Sequence, residues 1–230
     1  MPDESNGDRA DGRYWSAPVG QRAPSCASRR HADARSTTTV RIVLRKFAFL
    51  LFALCLWVPA LAVEVAGVKL ADKVSVGGQT LVLNGAGLRS KFFFKIYVGS
   101  LYLPQKVGDL AGVLANGPRR IQMTFLRDLT LKQLVGAVVG GLNENNSPAE
   151  MAAVKVPTDE LLWIMQRYQD VAVKEDDILT IDYIDGSTTV ALNGEVGGVI
   201  PGEAFNRALT RIWLGDKPSQ GGLKKAMLGG

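Results

Sequence analysis

Hydrophobic and polar positions change their spacing several times along the chain, and each spacing predicts an element. Val65 to Val76 alternates loosely and runs into a turn at Gly77-Gly78. Gln79 to Asn84 reads as a short strand broken by Gly85-Ala86-Gly87. Phe92 to Leu103 is dense in aromatic and β-branched residues, which suit a pleated, half-buried surface, and is the strongest strand signal in the chain. Gly99 interrupts it, as a bulge or tight bend would, and Pro104 ends it. Asp109 to Ala115 predicts a short helix stopped by Asn116-Gly117-Pro118. From Arg119 to Leu126 the period is two, with Ile121, Met123 and Phe125 on one side and Arg120, Gln122 and Thr124 on the other.

The period then becomes helical. Leu131, Leu134, Val135, Val138, Val139 and Leu142 fall at i, i+3, i+4, i+7, i+8 and i+11, with Thr130 as a good N-cap. Gly136 and Gly140 lie off the strongest apolar stripe. Glycine weakens a helix, so their presence predicts close approach by another element or room for a ligand. Ser147-Pro148-Ala149-Glu150 is a capping box with Pro at the first helical position. Pro157 is expected to interrupt that helix and Thr158 to restart it as far as Tyr168, with Leu161, Leu162 and Met165 inward. Ile178 to Ile184 and Thr188 to Leu192 read as strands across Asp185-Gly186, and Asn193-Gly194 as a hairpin turn into Glu195 to Ile200. A last helix from about Gly202 to Leu214 uses Phe205, Leu209, Ile212 and Trp213; Asp216-Lys217-Pro218 ends it before a short Lys-bearing tail. Strands, a helical block, a hairpin pair and a final helix, without βαβ alternation or a repeat, predict an α+β fold: an antiparallel sheet with helices on one face.

The first 62 residues follow a different grammar. Arg41, Arg45 and Lys46 precede an uncharged apolar run from Phe47 to Leu61, and Ala60-Leu61-Ala62 is a small-x-small site. This is the pattern of a secretory signal over residues 40–62, cleaved near Ala62, and the run is short of the ~20 residues a spanning helix needs. It predicts a periplasmic or secreted protein with no stable membrane span after cleavage. Cys55 lies inside the run and not at its end, which argues against a lipoprotein. Residues 1–39 are polar and aperiodic, and read either as a disordered extension or as an upstream start, with initiation near Val40 or Val43. The working domain is then 63–230.

Recounting over that domain removes one class of partner. The chain carries +5, but from Val63 onward there are 18 Lys and Arg against 17 Asp and Glu, a net charge of +1. The basic balance belongs to the leader and does not predict nucleic acid binding. Cys26, Cys55 and His31 also fall in the leader, so the domain has neither Cys nor His. Ser-His-Asp and Cys-His nucleophile systems, thiolate sites and the usual zinc sites are excluded, and the pattern predicts no metal and no cofactor.

Charged groups beside apolar strands remain. Arg89 follows Gly85-Ala86-Gly87-Leu88, and Lys91, Lys95, Tyr97 and Tyr102 sit on or near the aromatic stretch. An arginine in apolar surroundings needs a partner, either a protein carboxylate or a ligand anion. The segment from Gly85 to Leu103, with G-x-G-x-R, a lysine-bearing aromatic strand and G-x-Y-L, resembles the N-terminal signature of the chalcone isomerase-like family. The strand 121–125 and the stretch from Ile200 to Gly215 resemble further family blocks in the same order, and the likeness spans most of residues 67–215. The resemblance is to an exported bacterial member.

The resemblance implies an open-faced β-sandwich: a large antiparallel sheet covered by helices. The family includes plant enzymes that close chalcones into flavanones and non-catalytic relatives that bind fatty acids in the same cleft. Arg89 matches the family arginine. Tyr97 stands roughly where the plant isomerases have a strand threonine, and a tyrosine there resembles the fatty-acid-binding relatives. The isomerases carry a Tyr and an Asn seven apart on the helix after the central strand; alignment through Leu129-Thr130 puts Leu134 and about Gly141 there, which argues against chalcone cyclisation. The expectation is a non-catalytic binder of a fatty acid or similar amphipathic carboxylate. Arg89 and Tyr97 would hold the carboxylate, and Phe92, Phe94, Met123, Leu134 and Val138 would line the cleft. An intramolecular lyase or isomerase acting on another substrate, and a structural or partner-binding role, are the alternatives.

Overall fold

The computed structural model describes residues 63–115, 117–167 and 173–230. The extension 1–39, the signal 40–62 and the predicted helix end at Tyr168 lie outside the described residues. A small hairpin of β1 (Val63–Val65) and β2 (Val68–Leu70) precedes a seven-stranded sheet. The sheet consists of β3 (Lys73–Val76), β4 (Gln79–Lys91), β5 (Phe94–Leu103), β6 (Arg119–Phe125), β7 (Ile178–Ile184), β8 (Ser187–Leu192) and β9 (Glu195–Pro201). Its strands pair antiparallel in sequence order, so the sheet is an uninterrupted meander. The fold is α+β, as the element order predicts.

The helices are α1 (Leu110–Ala115), α2 (Leu131–Asn145), α3 (Pro148–Ala153), α4 (Lys155–Gln166), α5 (Glu203–Leu214) and α6 (Gly221–Met227). Both predicted helix starts after β6 are closed by reciprocal capping boxes, Thr130 with Gln133 and Ser147 with Glu150. The main core joins one sheet face, bearing Tyr97, Leu101, Ile121, Met123, Phe125, Ile181 and Val190, to the helices, most heavily to α5 through Phe205, Leu209, Ile212 and Trp213. Among the described residues the opposite face has a smaller cluster, centred on β3–β5, where Leu70 joins Leu81, Leu83, Val98 and Tyr102 and Ile184 of β7 packs at its edge. Farther along, that face carries the Arg120–Asp182 ion pair at 2.6 Å. Among the described residues no helix is long and apolar enough to cross a membrane.

Several expectations fail, for reasons that are not local. Gly85-Ala86-Gly87 does not end a strand; β4 runs through it with only a register shift between Leu83 and Gly85. A Cβ on Gly85 would stand 2.1 Å from the Ala226 carbonyl oxygen, and one on Gly87 2.7 Å from the Ala226 methyl. These glycines make room for α6, which the sequence showed only as a tail. Gly99 is not a bulge: it pairs regularly with Gly87 and Met123, and Leu223 of α6 covers it. The opposite error holds on α2, where nothing lies within 4 Å of a Cβ at Gly136 or Gly140; Gly141 is the close approach, 2.7 Å from Ile212. The helical block breaks at Val154, and Pro157 sits in the first turn of α4, where its missing N–H is tolerated.

Candidate ligand-binding cleft

Adjacent strands bring the two polar residues of the site together. Arg89 of β4 and Tyr97 of β5 are register partners, next to a bulge between Arg89 and Ser90. Tyr97 is 4% exposed and meets Phe125 edge-on, with centroids 5.8 Å apart at 73°. The Arg89 guanidinium carbon lies 5.5 Å from the Tyr97 ring centroid, and its Nη1 donates a long 3.5 Å bond to the phenolic oxygen. From α5, Trp213 Nε1 donates to the same oxygen at 2.8 Å.

That last bond sets the polarity of the hydroxyl. An indole N–H can only donate. The Tyr97 oxygen therefore serves as acceptor for Trp213 and Arg89, and its own O–H has no acceptor among the described residues. Arg89 likewise has no carboxylate within ion-pair distance among the described residues. Among the described residues, a guanidinium with no ion-pair partner and a hydroxyl with a free O–H converge on one place.

Beneath them is an apolar void of about 110 Å³. Met123 and Phe125 form its sheet side, Leu134 and Val138 of α2 one wall, Leu161 and Ile164 of α4 another, and Leu209 and Trp213 of α5 a third. Arg89 is the one charged residue among those lining it. The void is smaller than the roughly 300–1,000 Å³ of a drug-sized pocket. Helix α2 is the most lightly buried of its walls: of its fifteen residues only Leu142 is buried. An element with few buried contacts opens at the least cost.

Arg89, Tyr97, Met123, Leu134 and Val138 thus all face this void. Phe92 and Phe94 do not: they are 85% and 57% exposed. β5 begins only at Phe94, and Phe92-Phe93 form the hairpin turn. The last residue of β6, Phe125, pairs with Tyr97, so no part of β6 lies alongside Phe94 to enclose it. Its ring is capped instead by the Arg127 guanidinium at 4.7 Å. Gly141, about where the resemblance would put the second helix donor, packs so closely on Ile212 that a Cβ there would stand 2.7 Å from it, and it does not line the void. Trp213 is the residue sequence reasoning missed. A tryptophan on the apolar face of the last helix still has an N–H to satisfy, but its partner is distant in the chain.

An antiparallel sheet with helices on one face, and an apolar void beneath a few convergent polar groups, define the class as an α+β protein. Residues 62–229 match the family described as chalcone isomerase-like, and the chain belongs to it. No curated protein matches the chain. Among solved structures it is similar to the crystal structure of an Arabidopsis thaliana fatty-acid binding protein, at 13% identity and a TM-score of 0.51, covering 70% of this chain and 92% of that one.

Proposed function

We propose that this protein binds a long-chain carboxylate of fatty-acid type without transforming it, after export to the periplasm or beyond. One observation carries the reading. Among the described residues, a guanidinium without a carboxylate partner and a tyrosyl O–H without an acceptor meet at an otherwise apolar void. A carboxylate satisfies both, taking two parallel bonds from the planar fork and one from the phenol, while its alkyl chain goes between the sheet and α2. The Arabidopsis neighbour, named for fatty-acid binding, shares the fold and so lends support. The apolar Leu134 and the filled Gly141 leave the cleft without the helix donors a developing enolate would require. Export rests on the leader, and N-terminal sequencing of secreted protein, expected to begin at Val63, checks it.

Titration of a fluorescent long-chain carboxylate against its matched alcohol tests the binding. The carboxylate is expected to bind about tenfold to a hundredfold tighter, since hydrogen bonds to a charged group are the stronger kind. Equal affinities, no uptake of either probe, or protein-dependent conversion of a chalcone to its flavanone would each overturn the reading.

A further inference from the structure

The β4–β5 hairpin ends in the most exposed aromatic surface of the described chain. Phe93 is 100% exposed and Phe92 85%, with Phe94 beside them. The ladder runs out around them. β3 pairs with β4 only as far as Val82, and β6 with β5 only from Tyr97; the Ser90 amide still donates to Gln220 and the Ile96 carbonyl still accepts from Leu126, so the projecting two-stranded tip is the exposed stretch from Lys91 to Lys95.

The turn at this tip is unlike the others. Ala66-Gly67, Gly77-Gly78, Asp185-Gly186 and Asn193-Gly194 close the remaining two-residue hairpins, each with glycine second and positive φ at both positions. Among these two-residue hairpins Phe92, with a φ of 55°, is the positive-φ residue in a turn with no glycine, and the other glycine-free positive-φ turn of the described residues uses Asp176, a residue type that tolerates the conformation. A bulky residue there is strained, and Gly, Asn or Asp would fold the hairpin better. The strain is kept where the side chains contribute nothing to the core, which points to a use outside the fold.

Its surroundings indicate the use. Lys91 and Lys95 are exposed and flank the aromatics, and Arg127 lies over Phe94. The acidic residues at this end of the sheet begin beyond β6, and Asp128 and Asp177 there accept backbone amides of Glu175 and Lys174 at 2.9 and 2.8 Å. Aromatic side chains ringed by cations suit the interface of an anionic bilayer. A convex two-stranded tip offers little area beside the ~800 Å² per partner of a stable protein contact, which disfavours a second copy of this chain. Arg89 precedes Phe92 by three residues, roughly 10 Å along the strand.

We infer that the Phe92-Phe93 tip is a lipid-docking wedge that inserts into the interface of an anionic membrane and brings the mouth of the cleft to the headgroup level. The role deepens the carboxylate-binding reading and rests on it for what is loaded, though not for the membrane contact itself. Seated this way, Arg89 and Tyr97 meet a fatty-acid carboxylate where it leaves the bilayer, and the alkyl chain can follow without crossing water.

Cosedimentation with vesicles tests the wedge. Residues 63–230 contain both hydrophobic clusters of the described chain and so carry their own core. That segment is mixed with vesicles of phosphatidylcholine alone or with phosphatidylglycerol added. Wild type is expected to sediment with the anionic vesicles. Phe92→Gly with Phe93→Ser supplies a Gly-first turn that suits the backbone, and should lower vesicle binding about tenfold or more by removing the inserted apolar area. Lys91→Glu with Lys95→Glu should abolish the preference for phosphatidylglycerol. Both variants should still take up a fluorescent carboxylate from solution, whereas Arg89→Ala should lose that uptake and keep vesicle binding. Absence of wild-type binding to anionic vesicles, or equal binding by the Gly/Ser variant, overturns the wedge. So does sedimentation velocity showing a wild-type dimer that this variant dissolves, with neither form on vesicles. If instead Arg89→Ala takes up the carboxylate like wild type while vesicle binding follows Phe92 and Phe93, the wedge stands and the carboxylate site falls.

Discussion

Two arginines project from the helix-covered face of the sheet, and the protein treats them oppositely. Arg119, at the start of β6, is 2% exposed. Its Nε donates to Asn206 Oδ1 at 2.8 Å, its Nη1 to the Gly117 carbonyl at 3.0 Å, and its guanidinium lies 4.2 Å from the Tyr183 ring centroid. Asn206 is fixed in turn by Thr188 and Thr210. Burial lowers the Arg119 pKa to about 10, which leaves it charged at neutral pH. Arg89, near the other end of β6 beside Tyr97, is only half-buried and has a long bond to one tyrosine. Neither arginine has a carboxylate partner among the described residues. Lack of an ion pair therefore does not by itself mark a binding site. Arg119 is enclosed by a network of protein dipoles, while Arg89 opens onto an apolar void.

The largest expected effect tests the enclosed member. Arg119→Ala removes stacked and hydrogen-bonded volume from beneath α5, and should lower stability by about 3–5 kcal/mol. Thermal or denaturant unfolding measures it. A loss within the range of an ordinary surface substitution would mean that the network does not hold α5 in place.

Arg89→Ala should behave in reverse. Carboxylate affinity should fall by about 2–5 kcal/mol, roughly 30-fold to several thousand-fold, because one partner of a charge pair is removed. Arg89→Lys should restore only part of it, lacking the planar fork. The unfolding midpoint should barely move, since no protein carboxylate loses its partner. If the midpoint drops while affinity holds, Arg89 is a second Arg119 and the contrast collapses.

What the sequence made legible follows the same division between local and distant causes. The Ser147-Glu150 capping box and the Asn193-Gly194 turn are complete within a few residues and were readable. Arg89 and Tyr97 were readable because they lie eight apart in one signature. The glycines were not. Gly85, Gly87 and Gly99 read as breaks and prove to be contact sites, whereas Gly136 and Gly140 read as contact sites and face nothing. Their meaning depends on where α6 returns, about 140 residues after β4, and no local spacing encodes that. Phe92 and Phe94 misled for a related reason: aromatic density predicts a strand but not where the neighbouring strands end.

A smaller effect concerns the residue that sets the tyrosine's polarity. Trp213→Phe keeps most of the ring and removes the 2.8 Å bond to Tyr97. The phenol is then less firmly held as a donor, and carboxylate affinity should fall by about 0.5–1.5 kcal/mol. A double-mutant cycle isolates the cause. Combined with Tyr97→Phe, the Trp213 change should cost nothing further in binding. Additive losses would mean that Trp213 acts only as a wall of the void.

The smallest effect uses a third arginine as a control, one that does have a carboxylate. Arg211 of α5 donates to Glu150 at 2.7 Å and to Asn146 at 2.9 Å. The Ser147 backbone amide, followed by Arg211 and the Ser147 hydroxyl, holds the Glu150 carboxyl at about 2, below its ordinary 4.5. A depressed carboxyl favours the folded state above the ordinary value, and that contribution is lost as pH falls from 4.5 toward 2. Glu150 is exposed, so solvent screens most of the gain. Glu150→Gln should therefore melt slightly below wild type at neutral pH, and the gap should close as the solution is acidified through that window. Carboxylate binding should be unaffected at neutral pH, because Arg211 does not line the void. Thermal melts across a pH series, with probe titrations at neutral pH, read both. A gap that stays constant into acid would mean the pair contributes nothing through its charge. A loss of probe affinity would show that the cleft responds to this end of α5, and that Arg89 and Tyr97 are not independent of the scaffold that holds Arg119.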